Sequence, residues 1–226
     1  HDFRLVFFSS SEIYGECGTE ASIFHSPAQD DPAWDGFLRE SYSDDLPLFP
    51  TNDYAISKWV NELQIRNWSV INPDLRTMVV RLFNAYGPGE TYTPYRSVVC
   101  LFGYRMMHGL PITIYKGYKR VFMYVGDLME TLKNIPENFV AGETINIGGE
   151  EFVEVSEMAH VIARNLGGNL GDNFPVEWKD EDKHNVGSKR PCIKKKRRLL
   201  GHNPTTKLEY GIPPTLEYLR LIYNLK

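Results

Sequence analysis

Tyr54 and Lys58 stand four positions apart in the run Tyr54-Ala55-Ile56-Ser57-Lys58. On a helix, residues i and i+4 share one face. The spacing therefore aims a phenol and an ammonium at one small volume. A cation beside a phenol favours the phenolate. A group that otherwise titrates near about 10 can then act as a base close to neutral pH. Such pairs arise by chance on many helices, so the segments around them decide what the pair is worth.

Those segments read as strands that end in polar turns. Upstream, Leu5-Val6-Phe7-Phe8 is an apolar run that stops abruptly at Ser9-Ser10-Ser11-Glu12-Ile13-Tyr14-Gly15. The pattern is that of a buried parallel strand whose carboxyl end opens into hydroxyls and a carboxylate. Downstream, Met78–Phe83 repeats the design and leads into Asn84-Ala85-Tyr86-Gly87-Pro88-Gly89. Ligands of open α/β sheets bind at the carboxyl ends of the strands. Three segments thus converge on one sheet edge.

With three further runs the pattern resembles a known family. These runs are Arg120–Leu128 (RVFMYVGDL), Ile145–Gly149 (INIGG) and Lys189–Gly201 (KRPCIKKKRRLLG). In this order, and over nearly the whole chain, the six motifs resemble an extended short-chain dehydrogenase/reductase of the NAD-dependent nucleotide-sugar epimerase/dehydratase family. The resemblance implies an α/β fold: the C-terminal part of a doubly wound Rossmann-like sheet plus a smaller α/β substrate-binding lobe. It places a partial Rossmann-like domain with the active-site helix at 1–90. The nucleotide-sugar lobe occupies mainly 91–226, with crossings back to the sheet around 121–147. Family members begin with a strand, a Gly-rich turn and a helix that receive the NAD pyrophosphate. No such turn occurs in these 226 residues. The expectation is a C-terminal portion of a longer protein, preceded by roughly a hundred residues of dinucleotide-binding half.

The resemblance also implies roles. Tyr54 is the base that exchanges a proton with a sugar hydroxyl while hydride moves to or from NAD. Lys58 holds the nicotinamide ribose. Ser10 bridges substrate and tyrosine, because a hydroxyl both donates and accepts; its other reading is a strand-end serine capping its own turn. Glu12 is either a second acid/base, as in dehydratases and decarboxylases, or a carboxylate bonded within its turn. Dehydratases of thymidine sugars typically carry Asp-Glu, and here Ser11 replaces the Asp. Asn84 matches a substrate-contacting asparagine. Arg120 and Arg190 match two arginines that grip the diphosphate, a task suited to the planar guanidinium fork. Arg96 either touches substrate or faces solvent. Tyr115 either stacks on the nucleobase or packs the lobe.

The implied reaction passes through a 4-keto sugar and gives epimerisation first. A 4,6-dehydratase comes second and a decarboxylase third. A further reading, from another class, is a non-catalytic nucleotide-sugar-binding fragment. The implied partners are a nucleotide-diphosphate sugar and a second copy in a homodimer. The net charge of −4 argues against general nucleic-acid binding. The basic run Lys194–Arg198 reads as a solvated helix face with Leu199-Leu200 turned inward. Cys17, Cys100 and Cys192 are widely spaced and odd in number, which points to reduced thiols in the cytoplasm. No Cys/His cluster has metal-ligand spacing. No apolar run is long enough to span a membrane.

Element by element, the pattern predicts helices over Asn52–Ile71, Ser97–His108, Asp127–Asn134, Val155–Leu166 and Pro214–Leu225. It predicts extended segments at Thr77–Leu82, Pro111–Tyr115, Phe122–Val125, Thr144–Ile147 and Val176–Trp178. The Pro/Asp/Ser-rich stretch after Gly15 up to Pro50 reads as an insertion: a lid, an oligomer contact or a surface elaboration.

Overall fold

The computed structural model describes residues 3–15, 48, 50–180, 187–191 and 194–225. Along the chain the elements are β1 (Phe3–Ser10), a 3-10 turn (Ser11–Tyr14), α1 (Asp53–Ile71), β2 (Leu75–Leu82), β3 (Ala85–Tyr86), α2 (Val98–Met107), β4 (Ile112–Tyr115) and β5 (Lys119–Val121). They continue with β6 (Met123–Tyr124), α3 (Val125–Leu132), β7 (Thr144–Ile147), β8 (Phe152–Glu154), α4 (Val155–Asn165), β9 (Val176–Lys179), α5 (Lys194–Leu200) and α6 (Leu208–Ile222). The chain divides into two units. The first takes His1–Phe83, Glu130–Gly148 and Lys183–Asn203; the second takes Asn84–Met129, Gly149–Asp182 and Pro204–Lys226.

The first unit is built on a parallel sheet in the order β1-β2-β7. β1 and β2 pair along their whole length, from Phe3 opposite Leu75 to Ser10 opposite Leu82. Val79–Leu82 of β2 pair on the other edge with Thr144–Ile147 of β7. β2 is therefore the central strand, and Thr77–Arg81 are all buried. Parallel neighbours need a long crossover, and α1 supplies it between β1 and β2. Asn52 starts α1 by accepting the Ala55 amide on its side-chain oxygen at 2.9 Å, which satisfies one of the amides a helix start leaves without a partner. Among the described residues β1 pairs with β2 alone, and Phe3, Leu5 and Phe8 are exposed on it.

The second unit has its own core. α2, α4 and α6 pack on one another around Val99, Phe102, Met106, Met158, Ile162, Ile212 and Leu216, all buried. β4 pairs in parallel with β9, and β5 antiparallel with β8. β3 and β6 add a short parallel pair. The Gly148-Gly149 step is dictated by packing within each unit. A methyl group on Gly148 would sit 2.7 Å from Cβ of Phe83, and one on Gly149 would overlap the Phe122 carbonyl oxygen.

The structure departs from the sequence expectation in several places. Residues 187–191 and 194–203 cluster with the sheet unit, within the stretch that the resemblance gives mainly to the lobe. α3 begins at Val125, two residues early. α6 begins at Leu208 and runs through Pro213 and Pro214, although a proline normally marks a helix start. Its face Leu208, Ile212, Thr215, Leu216 and Leu219 is buried continuously across the prolines, so packing outweighs the missing amides. Most of the 16–50 stretch, with Cys17, lies outside the described residues, as does Cys192. Leu200 is buried while Arg197 and Arg198 are exposed, as expected for the end of the basic run. Among the described residues no helix is long and apolar enough to cross a membrane.

Replacing Asn52 by Ala should lower stability by about 1 kcal/mol, the usual worth of such a cap. Urea denaturation of the two proteins side by side measures the difference; an unchanged midpoint would show that the cap does not hold the start of α1.

Candidate active site

The first unit carries five of the residues singled out by sequence: Ser10, Glu12, Tyr54, Lys58 and Arg190. Ser10 ends β1 in an extended conformation and caps the turn that follows, its hydroxyl oxygen accepting the Glu12 amide at 3.2 Å. The serine can still donate its own proton. Gly15 closes the turn at φ 54, with its N–H donating to the Glu12 carbonyl at 3.1 Å. That left-handed conformation is the reason for a glycine there.

Tyr54 and Lys58 share one face of α1, as the spacing requires. The lysine ammonium lies 5.8 Å from the centre of the Tyr54 ring and 5.2 Å from that of Phe7. It donates to the carbonyl oxygen of Phe8 at 2.9 Å. Lys58 thus ties this face of the helix to the strand that ends in Ser10. Tyr54 is an exposed residue, with 54% of its surface accessible.

Glu12 has a partner that sequence reasoning missed. The ammonium of Lys189 donates to its Oε1. The Lys189 side chain is completely buried, while that of Glu12 keeps 21% exposure. The motif Lys189-Arg190-Pro191 had drawn attention to its arginine, yet Arg190 is only half-buried and it is Lys189 that turns inward. The two partners are 177 residues apart in sequence, and no local pattern links them.

A second group also escaped notice. Glu62 of α1 and Arg81 of β2 are both fully buried and form a two-pronged pair, Nε to Oε1 at 3.1 Å and Nη2 to Oε2 at 2.7 Å. Arg81 Nη1 donates to the Tyr14 hydroxyl at 3.0 Å, and that hydroxyl donates to Oδ1 of Asn146 at 2.9 Å. Burial opposes the charge on Arg81, but the Tyr14 oxygen and the Glu62 carboxylate outweigh it and hold the guanidinium above its ordinary range. A signal was available. Glu62 continues the series Tyr54, Lys58 by four more residues, and an arginine inside an apolar strand calls for a buried carboxylate.

The second unit carries the other four residues: Asn84, Arg96, Tyr115 and Arg120. Asn84 adopts a left-handed φ of 40°. Its amide nitrogen donates to the Val121 carbonyl at 3.0 Å, and its own carbonyl accepts from Met123 N–H at 3.2 Å. Arg120 lies on β5, largely buried, with Nη1 donating to the Lys119 carbonyl at 2.9 Å and its guanidinium over the Tyr118 ring at 5.6 Å. Tyr115 and Tyr118 stand 5.4 Å apart. Arg96 is exposed just before α2. The neighbouring Cys100 is buried, and burial, with Glu90 adding to it, pushes the thiol up to about 12.

The donor set of the first unit fits the nicotinamide end of NAD, with a phenol and an ammonium side by side at the carboxyl end of a parallel strand. The profile of the NAD dependent epimerase/dehydratase family matches residues 1–148. The chain belongs to this family. Its relatives span several reactions. It is 26% identical to the UDP-N-acetyl-alpha-D-glucosaminuronate decarboxylase of Bacillus cytotoxicus, covering 98% of this chain and 65% of the relative. It is 26% identical to the dTDP-D-glucose 4,6-dehydratase of Mus musculus, covering 96% and 63%. Among solved structures, the UDP-glucuronic acid 4-epimerase of Bacillus cereus, in complex with UDP-glucuronic acid and NAD, superposes with a TM-score of 0.75. That match has 22% identity and covers 97% of this chain and 62% of the epimerase. The chain thus spans less than two thirds of the length of these relatives. The structural match establishes the Rossmann-type α/β fold.

Replacing Lys189 by Met should cost about 2–3 kcal/mol, somewhat less than the loss of one partner from a fully buried pair, because Glu12 keeps some access to water. Thermal or urea unfolding measures it. A cost below about 0.5 kcal/mol, the level of an exposed pair, would mean that the buried contact with Glu12 does not form.

Proposed function

We propose that the protein containing this chain is an NAD-dependent enzyme that modifies a nucleotide-diphosphate sugar through a 4-keto intermediate, with epimerisation as its reaction. The observation that carries this reading is the Tyr54–Lys58 face of α1, anchored through Phe8 to the strand that ends in Ser10. Family membership supports it, as do relatives and solved neighbours that act on or bind UDP- and dTDP-sugars.

Bound NAD supplies the hydride acceptor for oxidation and the donor for the return step. The chain's own residues do the rest. Tyr54 takes the proton of the sugar C4 hydroxyl while the C4 hydrogen departs as hydride, leaving a ketone at C4. Ser10 donates to the reacting oxygen and steadies it. Lys58 holds the nicotinamide ribose and keeps the phenol in place. Arg190 and Arg120 bind the diphosphate, Asn84 contacts the sugar, and Arg96 is assigned to the substrate side of the lobe. Return of hydride to the opposite face of the ketone, with the proton given back by Tyr54, completes the epimer.

Decarboxylation is the second reading, favoured by Glu12. A carboxylate paired with the Lys189 ammonium is an acceptor of hydrogen bonds and protons, and a decarboxylase is among the relatives. Dehydration is less well served, since Ser11 stands where an acid would be needed. We also propose a homodimer. Ile56, Val60 and Leu63 form an exposed apolar stripe on α1 at helical spacing, and sedimentation of the full-length protein tests it. The three widely spaced cysteines support the cytoplasm as compartment.

In the full-length protein Tyr54→Phe should abolish turnover of UDP-glucuronic acid and UDP-glucose with little loss of stability, because the ring packing is kept. Rates near the parental value would remove Tyr54 from the mechanism. Arg190→Ala should weaken UDP binding by on the order of 2 kcal/mol, the worth of a charge-assisted contact to phosphate. Calorimetric titration with UDP reads it, and equal affinities would leave Arg190 a surface residue. Glu12→Gln separates the reactions. An epimerase keeps substantial turnover, whereas a decarboxylase stalls with reduced cofactor visible by absorbance.

A further inference from the structure

Tyr54, Lys58 and Glu62 follow one another at four-residue intervals along α1, so all three lie along one stripe of the helix. The first is exposed, the second half-buried and the third completely buried. At about 1.5 Å per residue, Glu62 sits roughly 12 Å along the axis from Tyr54. It is the point at which this stripe enters the unit's interior, and there it meets Arg81 in the two-pronged pair.

Arg81 belongs to the central strand and faces Ser9 of β1 in register. Through Nη1 it reaches the Tyr14 hydroxyl, in the same short turn as Glu12 and directly after Ser10. Tyr14 passes the connection to Asn146 on β7. One buried polar network therefore joins α1, β2, the Ser11–Tyr14 turn and β7.

Such a network is poorly explained by stability. Taking two charges out of water offsets most of what their attraction returns, and well-packed apolar side chains of similar volume often serve as well or better. What a two-pronged ionic bond supplies is direction. It permits one rotation and one axial position of α1 against β2, where apolar packing tolerates several. We propose that Glu62, Arg81 and Tyr14 are positioning residues that set the Tyr54–Lys58 face in register with the Ser10–Glu12 turn. They touch no substrate. The proposal rests on the assignment of Tyr54 and Lys58 to the chemistry.

The test uses the full-length protein with UDP-glucuronic acid and UDP-glucose as probes, and two variants. Tyr14→Phe removes only the oxygen that links Arg81 to Asn146. Glu62→Met combined with Arg81→Met replaces the ion pair by apolar side chains of similar length. Both should keep a melting temperature near the parental one and KM within about twofold, while kcat falls by about tenfold to a hundredfold, the scale of a small misplacement of reacting groups. Arg81→Lys, which restores the charge without the fork, should recover part of the rate lost in an Arg81→Met variant. Parental kcat in either variant overturns the proposal. So does a rate loss that tracks the melting temperature, or collapse of the fold in both variants, because each leaves only a structural role. Tyr54→Phe run in parallel separates the two levels. Full turnover there, or a parental protein inert toward both sugars, withdraws the underlying reading and this proposal with it. Loss of turnover there with full turnover in Tyr14→Phe withdraws the positioning role alone.

Discussion

β2 is hydrogen-bonded along both edges, to β1 and to β7, and most of it is shut away from water. A charged residue on such a strand must bring its own partner. Arg81 is that residue, and α1 answers it with Glu62. Breaking a buried pair of this kind by removing one partner typically costs about 3–5 kcal/mol, so the two positions constrain each other strongly. The consequence reaches beyond the pair. The crossover helix cannot rotate or slide without breaking the fork, and the residues on the same stripe of that helix include the two with the clearest chemical potential. The buried fork thereby adds an interior constraint to the contacts that Lys58 makes with Phe8 and Lys189 with Glu12.

Much of this was legible because it is local. The juxtaposition of Tyr54 and Lys58 follows from helical spacing, the polar end of β1 from the abrupt change at Ser9, and the central strand from its apolar run. The elements that went astray did so where tertiary packing overrides a local rule. Pro213 and Pro214 read as a helix start, yet the buried face of α6 runs straight through them. Lys189 could not be paired with Glu12 from sequence, because nothing within 177 residues indicates which carboxylate a buried ammonium will meet. Glu62 and Arg81 lay closer to view. They are 19 residues apart, in a helix and the strand that follows it, and the unexplained charge in the apolar run was the clue.

The shared family chemistry separates the reactions poorly, because oxidation at the sugar C4 serves all of them. What distinguishes one from another is the group set beside the ketone once it has formed. In this chain Glu12, the carboxylate that the proposed decarboxylase reading relies on, is paired with a buried lysine, in a turn that follows a serine. The pairing makes Glu12 part of the packing of the unit as well as of its chemistry. Loss of the side chain removes two things at once: an acceptor in the turn that follows Ser10, and the counter-charge of an ammonium with no exposure to water. Rate and stability effects at this position are therefore coupled, and only the species that accumulates can tell them apart.

Asn84 shows how a backbone constraint narrows what a side chain can offer. Left-handed φ is uncommon for residues other than glycine, and asparagine is among those that tolerate it best. Here the conformation is secured on two sides, by the amide nitrogen bonded to Val121 and by the backbone carbonyl bonded to Met123 N–H. One of the two N–H bonds of the side-chain amide is committed to the loop, so the side chain keeps its oxygen as an acceptor and one N–H as a donor. A hydroxyl, which both donates and accepts, can meet both. The guanidinium of Arg120 can only donate, which suits an anion such as a diphosphate.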